Sequence, residues 1–332
     1  MFNNFYTNYY LFFNSLKLYK MNRIISIFLM LISLNLFSQR NVINVDSIIK
    51  TDNYNVIKNL KYGEGERNVL DLWIADEKVN SPLIIYIHGG GFSSGNKESA
   101  YRKNSFNRIK KFIDNGISFA TINYRFRNNE DGIITSLNDA KRALQFLRFN
   151  SDKYSLDKSK IGVMGSSAGA TSSMWIGFFD DMADINSNDP IERESTKVSL
   201  IVGIAAAHTM DLNRWKEMAN IEQSYMDELT LQFMGKLDRD KWMKKTFDKD
   251  YISKIDFFDQ MDKNDPPFFI VNYGKNTKPK NIADFHHHPL HAKELKKKAD
   301  LLNIKNVIYA TGIGIIDKSR QGLVDFIVEN LK

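Results

Sequence analysis

A five-residue segment constrains the fold of this chain more than any other. Residues 165–169 read Gly-Ser-Ser-Ala-Gly, directly after the apolar run at 161–164. This is the G-x-S-x-G pattern, in which a serine occupies a strained turn between a strand and a helix. The small residues two positions before and after the serine let strand and helix approach closely, which pushes the hydroxyl outward. Ser167 is therefore the candidate nucleophile.

Residues 1–39 resemble an export signal. They contain three basic residues and no acidic one, and from Met21 a short basic start leads into an apolar run at 24–37 and then Ser38. This order is typical of a secretory signal peptide, with Met21 as the initiator and cleavage close to Ser38. The apolar run is shorter than the roughly 20 residues of a bilayer span, although a retained membrane anchor is the alternative. We therefore expect a secreted or periplasmic protein with no stable membrane span after cleavage.

The mature part, residues 40–332, is expected to form a single domain. The formal charge of the whole chain is +7, and the export signal supplies three of its cations, which leaves +4. Because no basic patch interleaved with aromatic residues remains, nucleic acid is not an expected partner. The chain has no cysteine, which excludes disulfides, thiolate nucleophiles and cysteine-based metal sites.

Strand-like and helix-like segments alternate through the mature part. Strands are predicted at 54–57, 69–74, 83–87, 117–124, 161–164, 198–207, 268–273 and 307–310. Helical spacing of apolar residues separates most of them, with helices expected within 97–116, around 137–147, at 168–179, from Pro289 onward and at the carboxyl end. The alternation predicts an α/β fold whose mostly parallel sheet has helices on both faces. Residues 211–265 break the rhythm and predict a helical excursion, either a lid or outer-layer helices.

A second motif ends the strand at 83–87, where the chain reads His88-Gly89-Gly90-Gly91. Sites in open parallel sheets form at the carboxyl ends of strands, where Ser167 is also expected. Glycine amides without side chains can point at a developing oxyanion, and removing one such donor typically costs about 3–4 kcal/mol of transition-state stabilisation. A glycine-rich turn without a ligand is the alternative reading.

With these two motifs the chain resembles the α/β-hydrolase superfamily, in particular its secreted esterase and lipase branch with an HGGG motif. The matching stretches are 70–73, 87–95, 123–125, 138–140 and 161–170. The resemblance implies an eight-stranded sheet, Ser167 as nucleophile, and an oxyanion hole from the amides of Gly90, Gly91 and Ala168. It also implies carboxylic ester substrates, often acetyl or feruloyl groups on plant polysaccharides, and no cofactor.

The chain departs from this family at its carboxyl end. In the family the catalytic histidine follows the last strand, where this chain has Ile313, and no histidine occurs after His291. A triad completed at the usual position is therefore impossible. This departure favours the alternative that the chain is a non-catalytic or impaired hydrolase-fold binding protein.

A histidine cluster after the penultimate strand offers another base. Residues 284–291 read Asp-Phe-His-His-His-Pro-Leu-His. Asp284 is the chosen acid, and His288 is the chosen base because the helix after it would disfavour imidazolium and keep the ring neutral. Metal binding by the consecutive histidines and a purely structural role are the alternatives.

The sequence thus predicts an exported serine hydrolase that cleaves carboxylic esters by acyl transfer. Ser167 attacks, the amides of Gly90, Gly91 and Ala168 hold the oxyanion, and a histidine of the 286–291 cluster moves the proton. The expected substrate is a small-molecule or polysaccharide-linked ester, with no metal and no cofactor.

Overall fold

The computed structural model describes residues 45–52, 54–76, 79–233, 238, 240–241, 244 and 248–332. The predicted export signal and its cleavage site lie outside this part of the chain. No helix within it is long and apolar enough to cross a membrane.

An eight-stranded sheet forms the centre of the molecule. Its strands are β1 Asn55–Lys61, β2 Val69–Ile74, β3 Ser81–Ile87, β4 Ser118–Ile122, β5 Leu156–Ser166, β6 Leu200–Ile204, β7 Phe268–Asn272 and β8 Asn306–Ala310. Their spatial order is β1-β2-β4-β3-β5-β6-β7-β8. Only β2 runs against the other strands: it pairs antiparallel with both β1 and β4, and every other pair in the sheet is parallel. The prediction of a mostly parallel eight-stranded sheet is confirmed.

Helices cover both faces of the sheet. The described helices are α1 Val45–Asp52, α2 Lys103–Asp114, α3 Ile134–Phe149, α4 Ala168–Phe178, α5 Leu212–Ala219, α6 Gln223–Phe233, α7 Lys249–Ile255, α8 Ile282–His286, α9 Leu290–Leu302 and α10 Leu323–Leu331. One large apolar cluster includes residues of α3, α4 and α9, and a second includes residues of α2 and α10. Every residue of α4 is buried, so this helix lies in the middle of the molecule.

The predicted excursion corresponds to α5, α6 and α7 in the described residues of that region. The apolar faces of α5 and α6 join residues near α8 in a third cluster, whereas α7 contributes Ile255 to the largest one. The excursion is therefore packed onto the carboxyl edge of the sheet, where the two motifs lie.

The register of the parallel strands brings these motifs together. Ile87 of β3 is paired with Gly165 of β5, and Gly165 is paired with Gly203 of β6. The glycine string after β3 and the serine turn after β5 therefore leave the sheet side by side, because parallel strands end at the same edge.

Candidate active site

Ser167 occupies a strained turn. It lies between β5 and α4 with φ 55° and ψ −120°, a conformation that non-glycine residues rarely adopt. The turn is held by a hydrogen bond of 2.8 Å from the Ser167 amide to the Ile204 carbonyl of β6. A side chain on Gly165 would overlap the backbone of Gly169, and one on Gly169 would overlap the Ile87 carbonyl. The glycines at both ends of the motif are thus required by close backbone packing.

The glycine string lies against this turn. Gly90 and Gly91 have φ of 117° and 60°, and a side chain on Gly90 would overlap the Ser94 carbonyl. Within the described part of the chain, the amides of Gly90 and Gly91 donate no hydrogen bond to protein. Ala168 is the first residue of α4, so its amide is one of the N–H groups that a helix leaves without an internal partner. Gly90, Gly91 and Ala168 line the same cavity as Ser167, so the predicted oxyanion-hole residues are neighbours of the predicted nucleophile.

His88 holds the glycine string and lies outside the reacting centre. Its buried ring stacks on Tyr124, with 4.3 Å between the ring centroids. His88 Nδ1 lies 2.7 Å from the Gly89 carbonyl oxygen and Nε2 lies 3.5 Å from Arg67 Nη2. A carbonyl can only accept, so Nδ1 carries the proton and Nε2 faces the guanidinium as an acceptor. Burial lowers the pKa of His88 to about 4, which keeps the ring neutral.

His287 is the histidine that the structure brings to Ser167. Its Nε2 lies 2.8 Å from Ser167 Oγ, a normal hydrogen-bond distance. His287 directly follows α8, and the loop that carries it packs on the end of β7. Asn272 donates to the His288 carbonyl and accepts from the Gly274 amide, and a side chain on Gly274 would overlap the His287 carbonyl.

His288, the predicted base, does not lie at Ser167, and His287 is the histidine within hydrogen-bond distance of it. His288 Nε2 lies 3.2 Å from the Thr277 carbonyl oxygen, and its Nδ1 accepts from the Leu290 amide at 3.4 Å. Both ring nitrogens are therefore engaged with backbone groups, at a site that does not include Ser167.

The surroundings of His287 keep it neutral. Burial lowers its pKa below the ordinary value, and the negative charge of Asp284 opposes part of this effect. A neutral ring whose Nδ1 carries the proton presents Nε2 as an acceptor to the Ser167 hydroxyl. This is the protonation state that a general base needs near neutral pH.

Asp284 does not hydrogen-bond to His287. Its carboxylate accepts from the Lys280 amide at 3.2 Å and from Asn281 Nδ2 at 3.1 Å, while Asn281 Oδ1 accepts from the Asp284 amide at 2.8 Å. Asn281 is thus the N-cap of α8, and Asp284 reaches back toward it as the partner in a capping box does. Within the described residues, the only side-chain hydrogen bond of His287 is the one with Ser167. Asp284, the predicted acid, is thus connected to His287 through its charge and not through a hydrogen bond.

His286 lies directly beside His287 and close to the Ser167 backbone. His286 Nε2 is buried without a hydrogen-bond partner among the described residues, and burial lowers the pKa of His286 to about 3. Its ring packs edge-on against Trp215 and His287, at centroid distances of 5.4 and 5.2 Å. Within the described chain, no three histidine or acidic side chains converge as metal ligands would.

His291 and His208 form a buried pair beneath the base. His291 Nε2 lies 2.9 Å from the Phe285 carbonyl oxygen, so this nitrogen donates and Nδ1 is left as an acceptor. His208 Nδ1 lies 2.8 Å from that acceptor and its amide 3.3 Å, so both donate to it. Burial lowers the pKa of His208 to about 3 and that of His291 well below its ordinary value. The pair connects the loop after β6 to the last turn of α8, immediately before the base.

The turn after β8, where the family places its histidine, packs against the same loop. A side chain on Gly312 would overlap the Gly274 carbonyl, and Ile313 packs against the largest apolar cluster. The turns after β7 and β8 are therefore close neighbours. This explains how a histidine in the turn after β7 can reach the serine that, in the family, a histidine in the turn after β8 contacts.

Ser167 and His287 open into a cavity of about 900 Å³. One part of its wall is apolar and comes largely from the excursion and from α8. This part includes Ile133, Met210, Leu212, Trp215, Ile252, Ile255 and Ile282. Another part is polar and continues from the glycine string into the residues after it. The cavity has room for an ester with substantial groups on both sides of the scissile bond.

The sheet order, the serine turn and the adjacent glycine string define an α/β-hydrolase. The BD-FAE family model matches residues 70–278, which is more than half of the chain, and the chain belongs to this family.

Two curated relatives come from Mycobacterium tuberculosis. The chain is similar to the probable carboxylic ester hydrolase LipM, with 28% identity over 65% of this chain and 47% of the relative. It is also similar to Esterase LipC, with 23% identity over 64% of this chain and 49% of the relative. The chain spans about half the length of these curated relatives.

Solved structures with the same fold include two that match most of their own length. A truncated form of a carbohydrate esterase from gut microbiota has a TM-score of 0.59 and 21% identity, covering 83% of this chain and 96% of that one. An acetyl ester-xyloside bifunctional hydrolase from Caldicellulosiruptor lactoaceticus has a TM-score of 0.54 and 20% identity, covering 83% and 90%. At this level of identity the likeness shows the fold.

Proposed function

We propose that this protein is an exported serine hydrolase that cleaves carboxylic esters by acyl transfer. The observation that carries the proposal is the distance of 2.8 Å between Ser167 Oγ and His287 Nε2, on a turn that forces the serine outward. The names of the curated relatives, a carboxylic ester hydrolase and an esterase, support the reaction class.

The first half of the reaction forms an acyl-enzyme. Ser167 Oγ attacks the ester carbonyl carbon while its proton passes to His287 Nε2. The carbonyl oxygen becomes an oxyanion and accepts hydrogen bonds from the amides of Gly90, Gly91 and Ala168. The tetrahedral intermediate then collapses, the carbon–oxygen bond to the alcohol breaks, and the His287 imidazolium gives its proton to the departing alkoxide oxygen.

The second half releases the acid. A water molecule loses a proton to His287 Nε2 and attacks the acyl carbon, again with the oxyanion facing the three amides. Collapse breaks the bond to Ser167 Oγ, and His287 returns the proton to the serine. Ser167 and His287 work without a carboxylate bonded to the imidazole, so the imidazolium is stabilised mainly by the longer-range charge of Asp284.

The substrate is proposed to be an ester attached to a sugar or to a small alcohol. The carbohydrate esterase and the acetyl ester-xyloside hydrolase among the structures with this fold favour a sugar-linked ester. The mixed polar and apolar wall of the cavity suits a substrate with one polar and one apolar side.

A fluorophosphonate probe tests the nucleophile. We expect labelling of the wild-type protein and its complete loss in Ser167→Ala, with parallel loss of hydrolysis of a chromogenic acetate ester. Ser166→Ala is the matched control, since it removes the neighbouring hydroxyl from the same turn. Labelling that persists in Ser167→Ala would contradict the assignment.

A further inference from the structure

One part of the cavity wall carries cationic and hydroxyl groups that the reaction above does not use. Tyr86 near the end of β3 lies there, together with Ser94, Ser99 and Arg102 from the segment after the glycine string. This segment is continuous with the residues that form the proposed oxyanion hole. A substrate held by Gly90 and Gly91 therefore has these groups within the same cavity.

Arg102 is exposed and has no ion-pair partner among the described residues, and Arg108 of α2 likewise has none. The nearest acid in sequence, Glu98, is bound to Lys97 Nζ at 2.8 Å, and Lys97 also pairs with the buried Asp71. Among the described residues, Asp71 and Glu98 thus already have a cation, whereas the Arg102 guanidinium has no acidic partner.

Two hydroxyl groups lie in the same region. The Ser99 hydroxyl oxygen is buried and makes no hydrogen bond of good geometry among the described residues. Burial raises the pKa of Tyr86, while the nearby Ser99 hydroxyl and the positive charges of Arg102 and Arg108 act against this increase. Arg102 lines the same cavity as Tyr86 and Ser99. A buried hydroxyl without a well-placed partner is costly unless a ligand supplies one.

We propose that Arg102, with the hydroxyls of Tyr86 and Ser99, binds a carboxylate carried by the ester substrate. The planar guanidinium matches a carboxylate with two parallel N–H···O bonds, and hydroxyl donors can complete its coordination. This inference rests on the proposed esterase function and adds an anionic group to the substrate. The enzyme would then prefer esters that carry a free carboxylate. The carboxylate is on the acyl part in half-esters of dicarboxylic acids, and on the alcohol part in esters formed at the hydroxyl of a hydroxy acid.

The test compares matched esters in wild-type protein, Arg102→Gln and Arg102→Lys. Each of the two anionic ester classes is paired with a neutral analogue in which an amide replaces the free carboxylate. At low salt we expect at least one anionic ester to have a kcat/KM about tenfold above that of its neutral partner. The difference should come from a lower KM and not from a higher kcat. Arg102→Gln should abolish the preference by lowering the kcat/KM of the anionic ester to that of its neutral partner, while Arg102→Lys should keep part of it.

Lys103→Gln is the control, since it removes the adjacent exposed cation from a residue that does not line the cavity. The proposal is overturned if neither anionic ester is preferred, or if the preference survives in Arg102→Gln. Glutarate binding to the Ser167→Ala protein, compared with glutaramide by calorimetry, gives a readout that needs no turnover. If glutarate binding depends on Arg102 but the wild-type protein hydrolyses no ester, the anion site is supported and the esterase function is rejected.

Discussion

The two halves of the candidate site are held in different ways. The serine turn and the glycine string are fixed by backbone packing, with Gly165, Gly169 and Gly90 each in contact with a neighbouring main chain. The histidine half rests on a five-residue helix and on side-chain bonds from Asn272 and His291. The first half is determined by local sequence, whereas the second depends on contacts between segments far apart in the chain. This difference predicts where substitutions should affect catalysis and where they should affect folding.

The largest effect is expected from removing the base. His287→Ala should lower kcat for ester hydrolysis by a factor on the order of 10⁴–10⁶, as loss of a triad member does in serine hydrolases. His288→Ala is the matched control and should leave kcat within about tenfold, because the His288 ring bonds to backbone groups and not to Ser167 among the described residues. Equal losses in the two variants would mean that the assignment of His287 is wrong.

Gly90→Ala should have the next largest effect. A side chain there would overlap the Ser94 carbonyl at a φ of 117°, so the string must move and its amides leave the oxyanion position. We expect kcat to fall by about 10²–10³, the usual effect of losing one donor. Gly314→Ala also places alanine at positive φ, but in open space, and should cost only about 1 kcal/mol of stability with little effect on kcat. An active Gly90→Ala enzyme would contradict this role of the string.

His291→Ala tests the histidine half through a residue that does not touch Ser167. The change removes one of the two donors to the Phe285 carbonyl and leaves the buried His208 donors without their acceptor, which costs about 1–3 kcal/mol in the free energy of unfolding. The turn that carries His287 should loosen, and kcat should drop by about 10–100-fold. His291→Gln retains an N–H near the same position and should restore part of both quantities. Urea unfolding and steady-state kinetics measure them separately, and loss of stability with unchanged kcat would show that the pair does not position the base.

Asp284→Asn should have the smallest effect. Because Asp284 does not bond to His287, kcat should fall by less than about tenfold, unlike the loss of about 10⁴ when a bonded triad acid is replaced. The side-chain oxygen of the introduced asparagine can still accept the capping bonds of α8. Since the carboxylate raises the pKa of His287 against burial, its removal should move the acid limb of the kcat/KM profile to lower pH. That limb should lie below about pH 6.5 in both proteins. A large loss of kcat would indicate that Asp284 reaches the imidazole during catalysis.

The serine half of the site could be predicted from sequence because its signals are local. Two glycine motifs directly follow buried strands, and parallel strands place them at one edge. The base could not be assigned because three consecutive histidines have the same local pattern, and only the fold decides which ring faces Ser167. The capping role of Asp284 was missed because Asn281 can be recognised as its capping partner only when the first residue of α8 is known.

The strand pattern was predicted well because the central strands are buried on both faces and give continuous apolar runs. The pair of His208 and His291 could not be predicted, since the two residues are 83 positions apart and meet only in the folded protein. Ile313 indicated that the usual base was absent, but it carried no information on the residue that replaces it.

The most direct test of the account is a crystal structure of the protein inhibited with an alkyl phosphonate. We predict a covalent bond from phosphorus to Ser167 Oγ, a phosphonyl oxygen within about 3 Å of the amides of Gly90, Gly91 or Ala168, and His287 Nε2 facing the site of the departing group. An adduct on another residue, or His287 turned away with a different base in its place, would contradict it.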